Sequence, residues 1–326
     1  PYAIWVSEIM LQQTQVETVI PYYRRFLARF PSVKALAEAH TDQVLKSWEN
    51  LGYYSRARHL HAAAKEVVAC RGGKIPQTRR ALLSLPGIGE YTAAAVLSMA
   101  FGKPVAAIDG NVLRVISRLF ALRGPVGSSE YRQKVHNLAD QLLSKKKPGL
   151  FNQAMMDLGA TVCTPRDPSC PSCPVKGLCM AENLGLQENI PAPGKRPAPL
   201  HKHMTAAILM DRKKRVLVVQ RPASGLLGGL WKFPGGERRA KEALESALAR
   251  TVREELGVSV RVQKPVASVK HAYTHFRVTF HVYRCALEQG RPKATEKHRW
   301  MWVSEKELRR LALSKAERKI LGVLYS

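Results

Sequence analysis

The chain has 326 residues, 45% hydrophobic and 7% aromatic, with 52 Lys+Arg against 25 Asp+Glu and a formal net charge of +27. That length accommodates two domains, each with its own core. So large a cationic excess favours a polyanionic partner, nucleic acid being the commonest, over a merely solvated basic surface, and no run reaches the ~18 apolar residues of a membrane span. Both parts of the chain share the excess, with net +11 over residues 1–200 and net +16 over 201–326.

Residues 4–29 have helical spacing, with Trp5, Ile9, Val16, Ile20 and Phe26 at apolar positions and Pro21 as the expected break. In "WVSEIMLQQTQ", Glu8 shares its helix with Val6, Ile9 and Leu11, which predicts a half-buried carboxyl whose pKa is raised. "SVKALAEAH" and "TDQVLKSWENLG" continue the helical text, with Thr41 as N-cap and Gly52 as stop. After "GGKIP" comes the short helix "TRRALLSL", the turn Pro86–Gly89, and an alanine-rich helix running through Met99.

Helix, PGIG turn, helix is a helix–hairpin–helix pattern. Gly87 and Gly89 let backbone approach a phosphate, and the second helix offers its positive dipole end. A mononucleotide P-loop would need GxxxxGK[ST] after a strand, and the sequence has neither. A plain αα-hairpin is the simpler alternative. Tyr91 occupies the first position expected to be exposed after this turn. Asp109, in "AIDGNVLRV", heads a further helix whose dipole favours its anionic form. A proton-carrying carboxyl at Glu8 and a standing anion at Asp109 are what glycosidic cleavage asks for. Two more helices are predicted over 129–144 and 150–160, and the first ~180 residues read as all-α.

Cys163-x6-Cys170-x2-Cys173-x5-Cys179 places four thiols in one Pro- and Gly-containing loop. Such a set suits either zinc or an iron–sulfur cluster, with two local disulfides as the third possibility. Cys70 and Cys285 stand alone and read as packing residues. "NIPAPGKRPAPL" is an extended linker. Beyond it "MTAAILM", "RVLVVQR", "SVRVQ", "VTFHVYRC" and "HRWMWVS" read as strands around one helix, "EALESALARTVREEL", which makes an α+β domain.

The hairpin, the "VAAIDGNVLRV" segment and the cysteine spacing resemble the endonuclease III superfamily of base-excision DNA glycosylases. "SEIMLQQTQVETVIPYYRRF", "LGYYSRARHL" and "FNQAMMDLGATVCT" narrow the resemblance to the MutY-type adenine DNA glycosylases, from Pro1 to about Cys179 and more weakly to the C-terminus. "GERRAKEALESALARTVREELGV" resembles the Nudix box, Gly236, Glu242, Arg250, Val252, Glu254, Glu255, Gly257 and Val258 fitting and Thr251 replacing its first core glutamate. Nudix hydrolases hold Mg²⁺ with those glutamates, so the departure removes an oxygen ligand.

The resemblance implies an all-α helix–hairpin–helix glycosylase domain over 1–188 with its cluster loop at 163–179, a Pro-rich linker over 189–203, and a Nudix-like α/β/α domain over 204–326 that senses 8-oxoguanine. It implies Glu8 as the general acid, Asp109 as the carboxylate stabilising an oxocarbenium-like sugar, and Asn111 as its hydrogen-bonding neighbour. Leu11, Gln13, Thr14 and Tyr53 correspond to residues around the extruded nucleotide, with Gly87 and Gly89 on the DNA backbone. "HAYTHF" falls where the family meets the lesion, with Tyr273 as aromatic wedge, Thr274 as hydroxyl donor and His275 retained. Cys163, Cys170, Cys173 and Cys179 are implied ligands of a [4Fe–4S] cluster.

Bifunctional superfamily members carry a lysine where Tyr91 stands. A phenol forms no Schiff base, so a monofunctional enzyme leaving an abasic site is expected. The partner expected is duplex DNA with an 8-oxoG:A or G:A mispair, met by a monomer in the bacterial cytoplasm, nucleoid-associated, with no membrane. Because the chain opens at Pro1 without an initiator Met, preceding residues are expected to complete the helical domain. The alternatives are an independent Nudix hydrolase, a pyrimidine-directed relative and a non-catalytic nucleic-acid scaffold.

Overall fold

The computed structural model describes residues 1–192, 200–273, 276–293 and 299–325. Thr274, His275 and the central part of the linker therefore lie outside the described residues. The chain forms two compact units. The first holds residues 1–23, 30–37 and 62–196, and the second holds 24–29, 38–61 and 197–326.

The N-terminal part is helical throughout. It runs α1 (Tyr2–Leu11), α2 (Val16–Arg29), α3 (Val33–Glu38), α4 (Thr41–Ser47), α5 (Tyr54–Arg71), α6 (Arg79–Leu83), α7 (Glu90–Phe101), α8 (Gly110–Leu119), α9 (Ser129–Leu142), α10 (Pro148–Asp157) and the short α11 (Met180–Asn183). A π turn, Leu158–Val162, extends α10. No described helix is long and apolar enough to cross a membrane.

Three local expectations are corrected. Pro21 lies inside α2, and the break falls earlier, at Gln12–Gln15, where Gln13 takes φ 55°. The α4 N-cap is His40, whose ring accepts from Asp42 N at 3.2 Å, so Thr41 is already helical. Cys70 is exposed near the end of α5 and packs in no core, whereas Cys285 is buried and its thiol is pushed up to about 12 by desolvation.

In the first unit α7 is the central strut. Thr92 to Ser98 are all buried, and the three consecutive alanines, Ala93 to Ala95, leave little bulk between this helix and its neighbours. Asn152 of α10 links three pieces: its Nδ2 donates to Ser98 Oγ (2.9 Å) and Val105 O (2.9 Å), and its Oδ1 accepts from Ala107 N (3.1 Å). These bonds satisfy a buried amide and hold the stretch that leads into Asp109.

The second unit adds β1 (Leu200–Leu209), β2 (Val216–Gln220), β3 (Trp231–Lys232), α12 (Leu244–Leu256), β4 (Ser259–Ala272), β5 (Phe276–Gln289), β6 (Arg299–Val303), α13 (Glu305–Arg310) and α14 (Lys315–Leu324). One sheet has the order β1-β5-β4, with β1 parallel to β5; the other has β3-β2-β6. In β2 alternate residues divide between two cores, Leu217 and Val219 facing α12 and Val216 and Val218 facing α14. Both faces are covered, so the strand is apolar throughout. Helices on either side of sheet give the α/β/α layering of a Nudix-like domain. The two-residue β3 carries no strong sequence signal, whereas α13 and α14 each open with Ser-x-x-Glu, Ser304 with Glu307 and Ser314 with Glu317.

Candidate active site

Glu8, Tyr91, Asp109 and Asn111 come together in the first unit. They line one open cavity of about 860 Å³, which Leu11, Gln13 and Thr14 also border. Apolar residues surround Glu8 on α1, and its side chain is only 6% exposed. Burial raises its pKa, the nearby Asp109 charge adds to that, and a hydrogen bond from Tyr91 opposes it. That bond is short, the Tyr91 phenol donating to Glu8 Oε2 at 2.6 Å.

The expectation that Tyr91 is exposed is therefore corrected. Tyr91 is the second residue of α7; its ring packs beside Ala94, Ala95 and Ala107, and its oxygen also lies 3.5 Å from Met156 Sδ. Desolvation and the Glu8 charge push its pKa above the ordinary phenol value. It remains a neutral donor across physiological pH.

Asp109 caps α8, accepting from Val112 N at 2.7 Å through Oδ1. Its Oδ2 accepts from Asn111 Nδ2 at 3.0 Å. Asn111 is held in turn by Arg114, whose Nη2 donates to Asn111 Oδ1 (2.8 Å) and Gly159 O (2.7 Å). Gly159 permits this packing, because a Cβ there would meet Asn111 Cβ at 2.6 Å. Arg114 Nε reaches on to Cys163 O at 2.8 Å. The aspartate thus presents a fixed anion to the cavity, anchored from behind.

At the hairpin Gly87 has φ 76°, in the left-handed region. Gly89 is the N-cap of α7 with extended backbone and no side-chain cap, and a Cβ there would meet nothing within 4 Å. No side chain caps the start of α7, as an anion-accepting helix start requires.

The four loop cysteines, Cys163, Cys170, Cys173 and Cys179, line one common cavity. Among the described residues no three or more His, Cys, Asp or Glu side chains converge as a single metal ion requires. Four soft ligands around a shared space, not gathered at a point, fit a multi-iron cluster better than one zinc ion. Arg118 borders that space, its Nη1 donating to Cys163 Sγ at 3.3 Å.

Tyr53 and Tyr273 belong to the second unit. Tyr53 sits in the turn before α5 with φ 45°, its ring under the Arg56 guanidinium at 5.5 Å. Tyr273 ends the β4 arm of a hairpin and stacks on Phe276 at 4.8 Å. In the Nudix-like box Thr251 is buried and donates to Ala247 O at 2.8 Å, filling the space that Gly236 leaves. Arg250 grips Glu242 at 2.7 Å and holds its carboxyl down at about 2, and pairs with Glu254 at 3.1 Å. Glu255 pairs with Lys232 and accepts from Gly235 N at 3.1 Å. Glu242, Glu254 and Glu255 therefore each have a cationic partner already.

Residues 6–141 match the HhH-GPD superfamily of base excision DNA repair proteins, and residues 205–322 match the NUDIX domain. The adenine DNA glycosylase of Homo sapiens is 36% identical, the match covering 99% of this chain and 68% of that protein. That of Buchnera aphidicola subsp. Acyrthosiphon pisum is 29% identical over 98% of this chain and 89% of its own. The chain belongs to the adenine DNA glycosylase family. It is a DNA glycosylase of base excision repair, and DNA is its substrate. Among solved structures, a thermostable thymine-DNA glycosylase is similar, with 32% identity and a TM-score of 0.51 over 56% of this chain and 85% of that one.

Arg114, Arg118 and Met156 escaped the sequence reading. The two arginines had a legible signal, since they stand four apart on one face of α8, directly after Asp109.

Proposed function

We infer that the enzyme hydrolyses the N-glycosidic bond of adenine mispaired with 8-oxoguanine, or with guanine, and stops at the abasic site. The observation that carries this reading is the Tyr91 phenol hydrogen-bonded to the buried Glu8 in the place after the hairpin. Glu8, whose protonated form burial favours, donates to the adenine as the bond breaks. Asp109, braced by Asn111, stabilises the positive charge that develops on the sugar. Water completes the reaction, and among the described residues lining the cavity none is a lysine. Leu11, Gln13, Thr14 and Tyr53 hold the distorted duplex around the extruded base, and the Tyr273 hairpin meets the opposite lesion. Cys163, Cys170, Cys173 and Cys179 would hold a [4Fe–4S] cluster, which when bound would supply a cross-link that orders their loop.

The test is an oxoG:A duplex with and without alkali, against G:C. Base loss revealed only by alkali is expected; strand scission without alkali, or a borohydride-trapped adduct lost in Tyr91→Phe, would overturn the reading.

Tyr91→Phe also carries a pH prediction. The working form of Glu8 is protonated, so activity is lost as pH rises through its raised pKa. The phenol lowers that pKa, so removing it moves the alkaline limb to higher pH. At the optimum the rate falls by roughly 10-fold, the worth of one hydrogen bond. An alkaline limb unmoved in a pH–rate profile argues against this coupling.

A further inference from the structure

Within the second unit, the turn that carries Tyr53 is fastened to a strap formed by residues 311–314. Glu49 is the fastener. Its Oε2 accepts from Lys46 Nζ at 2.7 Å. Its Oε1 accepts from the backbone N–H of Leu313 at 3.1 Å and from Arg318 Nε at 2.8 Å. The carboxylate is 13% exposed, so these bonds are sheltered from water and from salt. Both cations reach further along the strap. Lys46 Nζ donates to Arg309 O and Leu311 O, and Arg318 Nη2 donates to the same two carbonyls.

On one side of Glu49 the chain takes an unusual path. Asn50, Gly52 and Tyr53 have φ of 73°, 79° and 45°, the left-handed region, in which two non-glycine residues must be held by their surroundings. Asn50 N donates to the Tyr54 hydroxyl at 3.0 Å, and that hydroxyl reaches Leu313 O at 3.5 Å. On the other side the strap is built into the sheet, Trp231 N donating to Ala312 O at 2.9 Å and pairing with Leu313 as a bridge. Ser314 ends the strap and caps α14, and Tyr273 packs against the apolar cluster that holds Leu313 and Ala316. The strap therefore touches the Tyr53 turn through Glu49 and Tyr54, and the Tyr273 hairpin through the cluster of Leu313.

We propose that Glu49 is a positioning residue for mispair discrimination: by tying the Tyr53 turn to the strap that backs Tyr273, it makes the placement of the duplex wedge depend on the hairpin that meets the opposite base. The inference rests on the preceding reading, that Tyr53 and Tyr273 both contact DNA. Without the tie, the left-handed turn relaxes and Tyr53 loses its fixed relation to the hairpin. Recognition of the lesion then no longer improves alignment of the adenine. Misplacement of that kind costs about tenfold to a hundredfold in rate on the preferred substrate, and little on one that makes no lesion contact.

The experiment measures single-turnover adenine release by the full chain on oxoG:A and on G:A duplexes, for the wild type, Glu49→Ala, Glu49→Gln, Arg318→Met and the Glu49→Ala, Arg318→Met double variant. The expected result is a fall of about tenfold or more in the oxoG:A to G:A rate ratio in Glu49→Ala, with the G:A rate nearly unchanged. Arg318→Met should cause a similar fall, and the double variant no further one, because both act through one contact. Glu49→Gln keeps an acceptor oxygen and should lose less. A preserved ratio overturns the proposal, as does a parallel fall of both rates, by unfolding or otherwise. Failure of the underlying reading looks different: the wild type would then release no adenine, or show no preference between the duplexes.

Discussion

Replacing Glu8 by glutamine is expected to slow adenine release by about 10²–10⁴-fold, the range a positioned general acid supplies. Duplex binding should stay within a few fold of wild type. The amide has nearly the same shape, and its oxygen still accepts from the Tyr91 phenol, so the cavity keeps its form. It lacks the proton that adenine must receive to leave. The variant should also lose the alkaline limb of the pH–rate profile. In the wild type that limb marks Glu8 giving up its proton, at a pH raised by burial first and by Asp109 second. Single-turnover release on oxoG:A across the pH range, with binding measured in parallel, checks both parts. A variant retaining more than a tenth of the wild-type rate would move the acid role away from Glu8, and leave Asp109 with a different partner.

The burial of Glu8 and the capping position of Asp109 were readable in the sequence because each has a local signal. Glu8 stands among the apolar residues of α1, and Asp109 is a cap for the helix that follows it. The four cysteines were readable for the same reason, lying within 17 residues of one another. Tyr91 was misjudged. Its place after the hairpin suggests exposure, but its direction is decided by Met156 and Glu8, 65 and 83 positions away. Pro21 suggests a break because its ring removes a backbone donor, but α2 tolerates that single loss, and the chain turns instead at Gln12–Gln15, where Gln13 is left-handed. The membership of residues 38–61 in the second unit has no local signal at all. It comes from contacts such as Glu49 with Arg318, 269 positions apart. Charge patterning along the chain cannot pair such residues, since both sit among many others of the same kind.

Arg118→Met should destabilise the first unit by about 3–5 kcal/mol, the scale set by breaking a buried charged network. Arg118 is 2% exposed near the end of α8. Its Nε donates to Ile190 O at 2.8 Å, its Nη1 to Thr164 O at 2.7 Å and to Cys163 Sγ at 3.3 Å, and its Nη2 to Pro165 O at 3.3 Å. One planar fork thereby fastens both the entry to the cysteine loop and the segment beyond its exit. Methionine keeps much of the apolar stem but supplies no donor, which leaves three carbonyls without their partner. Lysine keeps the charge yet cannot address four acceptors in a plane, so Arg118→Lys should recover only part of the loss. The melting temperature of Arg118→Met should fall by roughly 10 °C, at ~2–4 °C per kcal/mol for a domain of this size. Iron content per chain should fall with it, because Cys163 loses the donor that faces its sulfur and the loop loses its anchor. Arg114 gives the contrast. It addresses Asn111, Gly159 O and Cys163 O, on the side of the loop nearest Asp109. Arg114→Met should lower the rate of base release more than the melting temperature. If Arg118→Met instead melted with the wild type and carried full iron, the loop would be held by the local turns of residues 163–179 alone, and the arginine fork would be incidental to it.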